Sequence, residues 1–408
     1  MTNTSDNSLS QTFPSSSFAR FDESNLVEAV AWLKQGNLLA LPTETVYGLA
    51  GWVASPLALD RIFELKGRPK GHPLIVHLAD AVDWHQFATL PSPFQEAVER
   101  VMQAFWPGPL TLILPKRTDT VSDAVTGGKA SVGLRVPNHP LALALLRTFK
   151  TLTGRPQGLA APSANRFGRI SPTHPHHVAD EFYTQPEASS LLGLLASQRL
   201  WQGPLNNPST AASVCEVGVE STILDCSVFT PTGDWQPTLR RTGWITSQQL
   251  EACLQYPVVT LSQRLAVAEA EASLSAGSLA QHYAPSVPSF LIQEPQAWPQ
   301  LPAWLHETLA SKTTTTPQSS PVACVVFGHP SPEEAEALGR VLPVTCRHVE
   351  VLGDASQVSH ALYATLRQLD ADASIQALVL YLPQAQQNEE PLVWAAVNDR
   401  LSRACVVV

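Results

Sequence analysis

The chain has 408 residues, more than one ordinary hydrophobic core holds, so its length points to two or three domains. Hydrophobic residues make up 44%, enough for real cores, while charged residues make up only 15%. With 26 Lys and Arg against 35 Asp and Glu, the net charge of −9 argues against a chain-wide electrostatic footprint for nucleic acid, although a local basic groove stays open.

Residues 1–21 are Ser-, Thr- and Asn-rich, without the basic start or apolar stretch of a secretory signal. They read as a disordered tail, because so polar a segment buries too little to offset its ordering entropy. No stretch approaches the roughly 18 continuous apolar residues of a membrane span. The six cysteines form no CxxC pair. Neither a disulfide framework nor a zinc ribbon is expected, and reduced thiols in a cytoplasmic protein are the plain reading.

From Asp22 to about residue 256 the pattern alternates helix and strand. Ser24 can cap a helix whose Leu26, Val27, Val30 and Leu33 share a face, with Gly36 at its stop. Leu38–Leu41 reads as a strand. Ser55 and Pro56 open a second helix, with Leu59, Ile62 and Phe63 on one side and an end near Gly67. Leu74–Leu78 is nearly continuous in apolar residues, as in a strand buried on both faces. Phe94, Ala97, Val98, Val101, Met102 and Phe105 follow the helical repeat. Further strands are expected at Leu110–Leu114, Ser131–Val136, Leu159–Ala161 and Thr222–Cys226. Residues 257–288 lack a strong period and read as a linker, and TTTTPQSSP at 313–321 as a mobile surface loop.

Alternation restarts in residues 289–408. Strands are expected at Val322–Phe327, Val349–Leu352 and Ala377–Leu382, and helices at Gln357–Leu369 and Pro391–Ala404. Ser331 and Pro332 should start another helix, with Glu334 placed for a capping box. Strand–helix units in this order suggest a small parallel-sheet domain. It carries neither G-x-G-x-x-G nor G-x-x-x-x-G-K-[ST].

Four polar clusters directly follow apolar strands, where open α/β sheets tend to bind ligands. In the first, Thr43, Glu44 and Thr45 precede Gly48; they could line a small pocket or simply shape a polar turn. In the second, Lys66 and Arg68 lie on a Gly- and Pro-stiffened loop. A point charge beside a planar fork suits phosphates, and the alternative is that Lys66 complements a helix C-terminus. His72 and His77 taken alone would more often be structural. In the third, Arg135 stands mid-strand between apolar neighbours, where an unpaired charge is costly, so it should meet a carboxylate of the protein or of a ligand. Ser163 and Asn165 form a tight turn that is functional or ordinary on equal terms. In the fourth, Gly218–Thr222 is followed by a basic turn at Arg240 and Arg241. His174, His176 and His177 look metal-like, but no Cys or carboxylate completes a set at zinc spacing. No GxSxG elbow supports an acyl-enzyme hydrolase. The residues alone lead to a pocket for a small anion and a nucleotide phosphate tail, with no reaction named.

PTETVYGL, KGRP with PLIVH, FWPGPLTLIL, GLRVP, APSAN with SPT, and GVEST stand in that order between residues 42 and 222, and GSLAQHYAP and NDRLSRA follow. This series closely resembles the YrdC-like domain of L-threonylcarbamoyladenylate synthases in their long, two-domain form. The resemblance implies an α/β fold: a twisted mixed sheet with flanking helices over 22–256, a linker bearing HYAP over 257–288, and a small Rossmann-like parallel-sheet domain over 289–408. It also implies adenylyl transfer. L-threonine and bicarbonate give N-carboxythreonine, which attacks the α-phosphate of ATP and yields threonylcarbamoyl-AMP and pyrophosphate. Threonylcarbamoyl-transferase complex proteins then modify the adenosine beside the anticodon in tRNAs reading ANN codons.

By motif, Thr45, His77, Arg135, Ala161 and Ser221 should contact L-threonine, with Arg135 holding its carboxylate. Lys66 and Arg68 should be catalytic. Arg68, His72, Ser131, Ser163, Asn165, Ser171, Arg241 and Tyr283 should contact ATP, which brings Mg2+ in place of a tightly bound protein metal, and Tyr283 should close over the nucleotide. A weak tRNA or RNA contact and a cytoplasmic, membrane-free setting complete the expectation. Two other readings fit the residues less well. Hydrogenase-maturation carbamoyltransferases carry acylphosphatase and zinc-finger modules for which residues 1–21 have no room. A double-stranded RNA or ribosome-binding module would use the loops at Lys66, Arg68 and Arg241, but lacks an aromatic-basic RNA motif.

Overall fold

The computed structural model describes residues 18–182, 184–200 except 186 and 199, 215–260 except 231, 283–292, 322–336 except 331 and 335, 347–383 except 352, and 391–407. Two sheets organise them. The larger contains β1 (Ala19–Phe21), β2 (Leu38–Leu41), β3 (Gly48–Trp52), β4 (Ile75–His77), β5 (Leu110–Pro115), β6 (Ser131–Arg135), β7 (Leu159–Ala160), β8 (Leu192–Leu195), β9 (Thr222–Asp225), β10 (Thr238–Arg241) and β11 (Val259–Thr260). Their spatial order is β1-β8-β2-β3-β7-β4-β6-β5-β9-β10-β11. Directions are mixed: β4 pairs parallel with β6, whereas β7 runs antiparallel to β4 and β5 to β6. The smaller sheet contains β12 (Ser289–Ile292), β13 (Val322–Phe327), β14 (Arg347–Val351), β15 (Ala377–Tyr381) and β16 (Val406–Val407), ordered β14-β13-β15-β12-β16 with parallel pairings throughout. The fold is α/β, as expected.

Strand β2 shows why its sequence is apolar at every position. Leu38 and Ala40 enter one core with Ala58, Ile62 and Val98, while Leu39 and Leu41 enter another with Ala29, Val30, Leu33 and Phe149. Successive side chains of a strand face opposite ways, and helices cover both faces. The helix Pro56–Lys66 starts where Ser55 Oγ accepts from Ala58 N at 3.3 Å and stops at Gly67, whose φ of 60° suits a residue without Cβ. The helix Ser92–Phe105 buries Ala97, Val98, Val101 and Met102, the face expected from its repeat.

Several local expectations need correction. Asn25, not Ser24, occupies the N-cap of the helix Leu26–Lys34, because Ser24 Oγ donates to Asp22 Oδ1 at 2.5 Å. The stretch read as a tail includes a strand: β1 pairs with β8, and buried Phe21 packs 6.0 Å from the Trp32 ring, while residues 1–17 lie outside the described residues. Strand β11 carries the large sheet beyond residue 256. Glu334 accepts a hydrogen bond from the Tyr381 hydroxyl. Ser331 and residues 313–321 lie outside the described residues, as does the linker up to 282.

The core under the smaller sheet is not confined to it. Val46, Ile170, Val219 and Tyr283 join Val325, Phe327, Leu362, Val397 and Leu401 in one cluster. Loops leaving the large sheet are therefore held from behind by the small one.

Candidate functional site

The large sheet brings the strand-end clusters together. β4 lies between β7 and β6, and its register sets His77 opposite Arg135 on one side and opposite Leu159 on the other. The turn after β2, the turn after β7, the start of β9 and the end of β10 close around the same point. The result is a cavity of about 60 Å³, lined by Thr45, Arg68, His77, Arg135, Ala161, Ser163, Ser221, Arg241 and Tyr283 among the expected residues. Thr43, Glu220 and Ile75 also line it.

Arg135 donates two hydrogen bonds and makes one charge contact. Its Nε donates to Gly108 O at 3.1 Å and its Nη1 to Thr45 Oγ1 at 2.9 Å. Its Nη2 lies 2.7 Å from Glu44 Oε1, a contact of charges outside hydrogen-bond alignment. The carboxylate required by its burial is thus the protein's own Glu44, whose Oε2 accepts from Asn138 N at 2.9 Å. Beside it, burial and then the Arg135 charge push His77 down to about 3, so the imidazole is neutral near pH 7. His77 Nδ1 is buried without a hydrogen-bond partner among the described residues. Ser221 Oγ is 2.8 Å from Thr111 Oγ1 and accepts from Arg241 Nη2 at 3.1 Å, while Arg241 Nε donates to Ser221 O at 2.9 Å.

The phosphate-suited loop divides its two cations. Arg68 lines the cavity, donates from Nη2 to Pro73 O at 3.1 Å, and lies 5.7 Å from the Phe167 ring. Burial lowers it to about 10, leaving it protonated, and its Nε has no partner among the described residues. Lys66 points elsewhere. Its ammonium donates to Ser163 O and Asn165 O, each at 2.5 Å, and borders an open groove with Arg166, Asp180 and Glu181. Lys66 therefore fixes the APSAN turn from behind.

The remaining expected residues do not line this cavity. Asn165 Nδ2 donates to Arg166 O and Arg169 O, and its buried Oδ1 has no hydrogen-bond partner among the described residues. Ser171 Oγ donates to Glu220 Oε1 at 2.6 Å. His72 meets Phe167 edge-on at 5.4 Å, its pKa lowered by burial and by Arg68. Ser131 lines a separate cavity of about 220 Å³ with Lys129, Asp225 and Arg240, and Ile75 borders both spaces.

From sequence Glu44 is expected only as a possible pocket wall, not as the partner of Arg135, and two further side chains central to this geometry, Glu220 and Arg400, receive no individual role. For Arg400 a signal existed. On the helix Pro391–Ala404 it sits among Trp394, Val397 and Leu401, which are buried, and a charge on a buried face needs a partner. The histidine cluster is separate. His174 and His176 stack at 4.9 Å, and burial pushes them to about 4 and about 3. Among the described residues no group of three or more His, Cys, Asp or Glu could hold a metal ion. Among them too, no helix is long and apolar enough to cross a membrane.

A family model described as "Telomere recombination" matches residues 31–189, and another, "Threonylcarbamoyl-AMP synthase, C-terminal domain", matches residues 245–405. The threonylcarbamoyl-AMP synthase of Pyrococcus abyssi (strain GE5 / Orsay) is 34% identical over 277 residues, covering 68% of this chain and 70% of that one. The chain belongs to the threonylcarbamoyl-AMP synthase family. The Bacillus subtilis (strain 168) threonylcarbamoyl-AMP synthase is 39% identical over 267 residues, 65% of this chain and 66% of that one. These alignments span about two thirds of each curated relative. The crystal structure of P. abyssi Sua5 complexed with L-threonine is similar over 96% of this chain and 99% of that chain, with a TM-score of 0.68 and 26% identity. Membership in this family does not favour an RNA- or ribosome-binding module.

Proposed function

We propose that the protein condenses L-threonine, bicarbonate and ATP into threonylcarbamoyl-AMP and pyrophosphate. The observation that carries this reading is the Arg135 guanidinium, buried beside neutral His77 in a cavity whose other wall presents Arg68 and Arg241. One end of such a site suits an amino-acid carboxylate and the other a polyphosphate. Thr45, His77, Ala161 and Ser221 would complete the L-threonine half. Arg68, His72, Ser163, Asn165, Ser171, Arg241 and Tyr283 would serve ATP, with Ser131 reaching the nucleotide from the neighbouring cavity. Lys66 acts in this reading by holding the turn that carries Ser163 and Asn165.

The threonine amine and bicarbonate first give a carbamate. A carbamate oxygen then forms a bond to the α-phosphorus as the bond to the pyrophosphate oxygen breaks. No side chain need become covalent; positioning and neutralisation of phosphate charge by Arg68 and Arg241 supply the catalysis. Magnesium would arrive on the triphosphate. The catalytic part is the large-sheet unit from β1 at Ala19 to β11 at Thr260, followed by the linker and by a second domain that begins at β12 (Ser289–Ile292). Work in the cytoplasm, with the product passed to threonylcarbamoyl-transferring proteins acting on tRNA, completes the proposal.

The test is pyrophosphate release from ATP by the purified chain, omitting L-threonine and bicarbonate in turn. Release that needs both, with a product of the mass of threonylcarbamoyl-AMP, supports the reading. Release independent of either substrate refutes it.

A further inference from the structure

The helix Pro391–Ala404 belongs to the smaller sheet's layer, yet one of its side chains reaches the wall of the cavity. The Arg400 side chain is 0% exposed. Its Nε donates to Glu220 Oε2 at 2.7 Å and its Nη2 to Thr242 O at 2.9 Å, while Nη1 meets Asp399 Oδ2 at 2.5 Å. Its guanidinium carbon lies 5.5 Å from the centre of the Tyr283 ring. The Glu220 carboxylate it holds is filled from both sides: Ser171 donates to Oε1 at 2.6 Å, and Tyr363 to Oε2 at 2.9 Å. Glu220 and Tyr283 line the cavity, and Thr242 follows Arg241 directly.

Burying this ion pair is a poor way to gain stability, since desolvation offsets the attraction and an apolar pair of similar volume often does as well. Val397 and Leu401, beside it on the helix, already supply apolar packing. A planar fork supplies direction instead: its donors fix distances and angles between separate segments at once. Tyr283 is itself assigned above to ATP and Thr242 adjoins Arg241, also assigned to ATP, while Glu220 accepts from Ser171 of the ATP set and adjoins Ser221 of the L-threonine half.

We propose that Arg400 is a positioning residue that uses Glu220, the Thr242 carbonyl and the Tyr283 ring to set the ATP-facing wall of the site. It rests on the adenylyl-transfer reading of that site. The second domain thereby takes part in the reaction from behind the wall.

The full-length chain is tested as Arg400→Lys, which keeps the charge and loses the fork, and as Tyr363→Phe, which removes one donor to Glu220 at nearly constant volume. Three quantities are measured: Tm, the Kd of L-threonine without nucleotide, and the Kd of a non-hydrolysable ATP analogue, alongside KM for ATP in the pyrophosphate assay. Arg400→Lys is expected to weaken analogue binding and raise KM for ATP about tenfold, and Tyr363→Phe about threefold, with the L-threonine Kd within twofold of wild type. Nucleotide and L-threonine affinities that fall together with Tm would mean a structural role and overturn the proposal. So would a folded Arg400→Lys chain with unchanged nucleotide affinity. A wild-type chain that binds the analogue yet makes no threonylcarbamoyl-AMP would sink the reaction reading, while the analogue titrations still decide the role of Arg400.

Discussion

Replacing Arg135 by Met separates its structural charge contact from its proposed substrate contact. In the folded protein the Glu44 side chain is 3% exposed and Arg135 is the cation beside it. Removing one member of a buried pair costs about 3–5 kcal/mol, because the other is left as an uncompensated charge. Arg135→Met should therefore lower Tm by roughly 10 °C. The double variant Arg135→Met with Glu44→Gln removes both charges, and the Gln carbonyl can still accept from Asn138 N. It should regain most of the lost stability. L-threonine binding behaves differently, since a charge-assisted hydrogen bond of about 1.5–3 kcal/mol is missing in both variants. At about 1.4 kcal/mol per tenfold, Kd rises roughly 10- to 100-fold in each. Calorimetric titration with L-threonine and thermal unfolding of the same samples give both numbers. A double variant that binds L-threonine within twofold of wild type would refute the assignment of Arg135 to the carboxylate.

Other perturbations probe the remaining groups. Arg68→Ala is expected to raise KM for ATP by tenfold or more while the L-threonine Kd stays within twofold, as titration of each ligand would report. Lys66→Met should loosen the turn bearing Ser163 and Asn165, so it should lower Tm as well as ATP turnover; an unchanged Tm would contradict the tie to both carbonyls. Stability should fall in acid. His77, His174 and His176 have folded-state values pushed below the ordinary 6.5, so the unfolded chain takes up protons first as pH drops below 6.5. Buried His77 and His174 each cost up to about 2 kcal/mol by pH 5, and a His174→Gln chain should show a flatter dependence of Tm on pH between 6.5 and 5. Asp354→Ala removes a capping box whose Oδ1 accepts from Gln357 N at 2.9 Å. It should cost about 1 kcal/mol in denaturant unfolding of the smaller domain and leave ATP KM unchanged.

Legibility in the sequence followed how local each signal was. The helix Ser92–Phe105 could be read because its apolar residues keep one face. The helix Pro140–Thr153, with Leu141, Ala142, Leu145, Leu146 and Phe149 buried, shows apolar residues nearly all round its first two turns, so no face stands out. Strand β3, GLAGW, has two glycines in five residues and little strand propensity; packing against β2 and β7 makes it a strand. In the site, burial chemistry alone required a carboxylate for Arg135, but only the fold selects Glu44, 91 positions away by number, from the available acids. Lys66 could be recognised as a cation on a stiff loop. Its direction depends on carbonyls of Ser163 and Asn165 in a distant turn, which no local pattern contains. The Glu220–Arg400 pair spans both sheets and is set wholly by tertiary structure.

Arg135 is never presented bare: Gly108 and Thr45 accept from two of its nitrogens and Glu44 offsets its charge. A vacant buried guanidinium would take up whatever small anion is most abundant around it, phosphate and chloride included. An internal acid sets a threshold instead. A newcomer must displace it or share the fork with it, and an inorganic anion brings no amine with which to offset the acid. The same occupant lets the chain complete its folding in the absence of any amino acid, so the site is finished before its first substrate arrives.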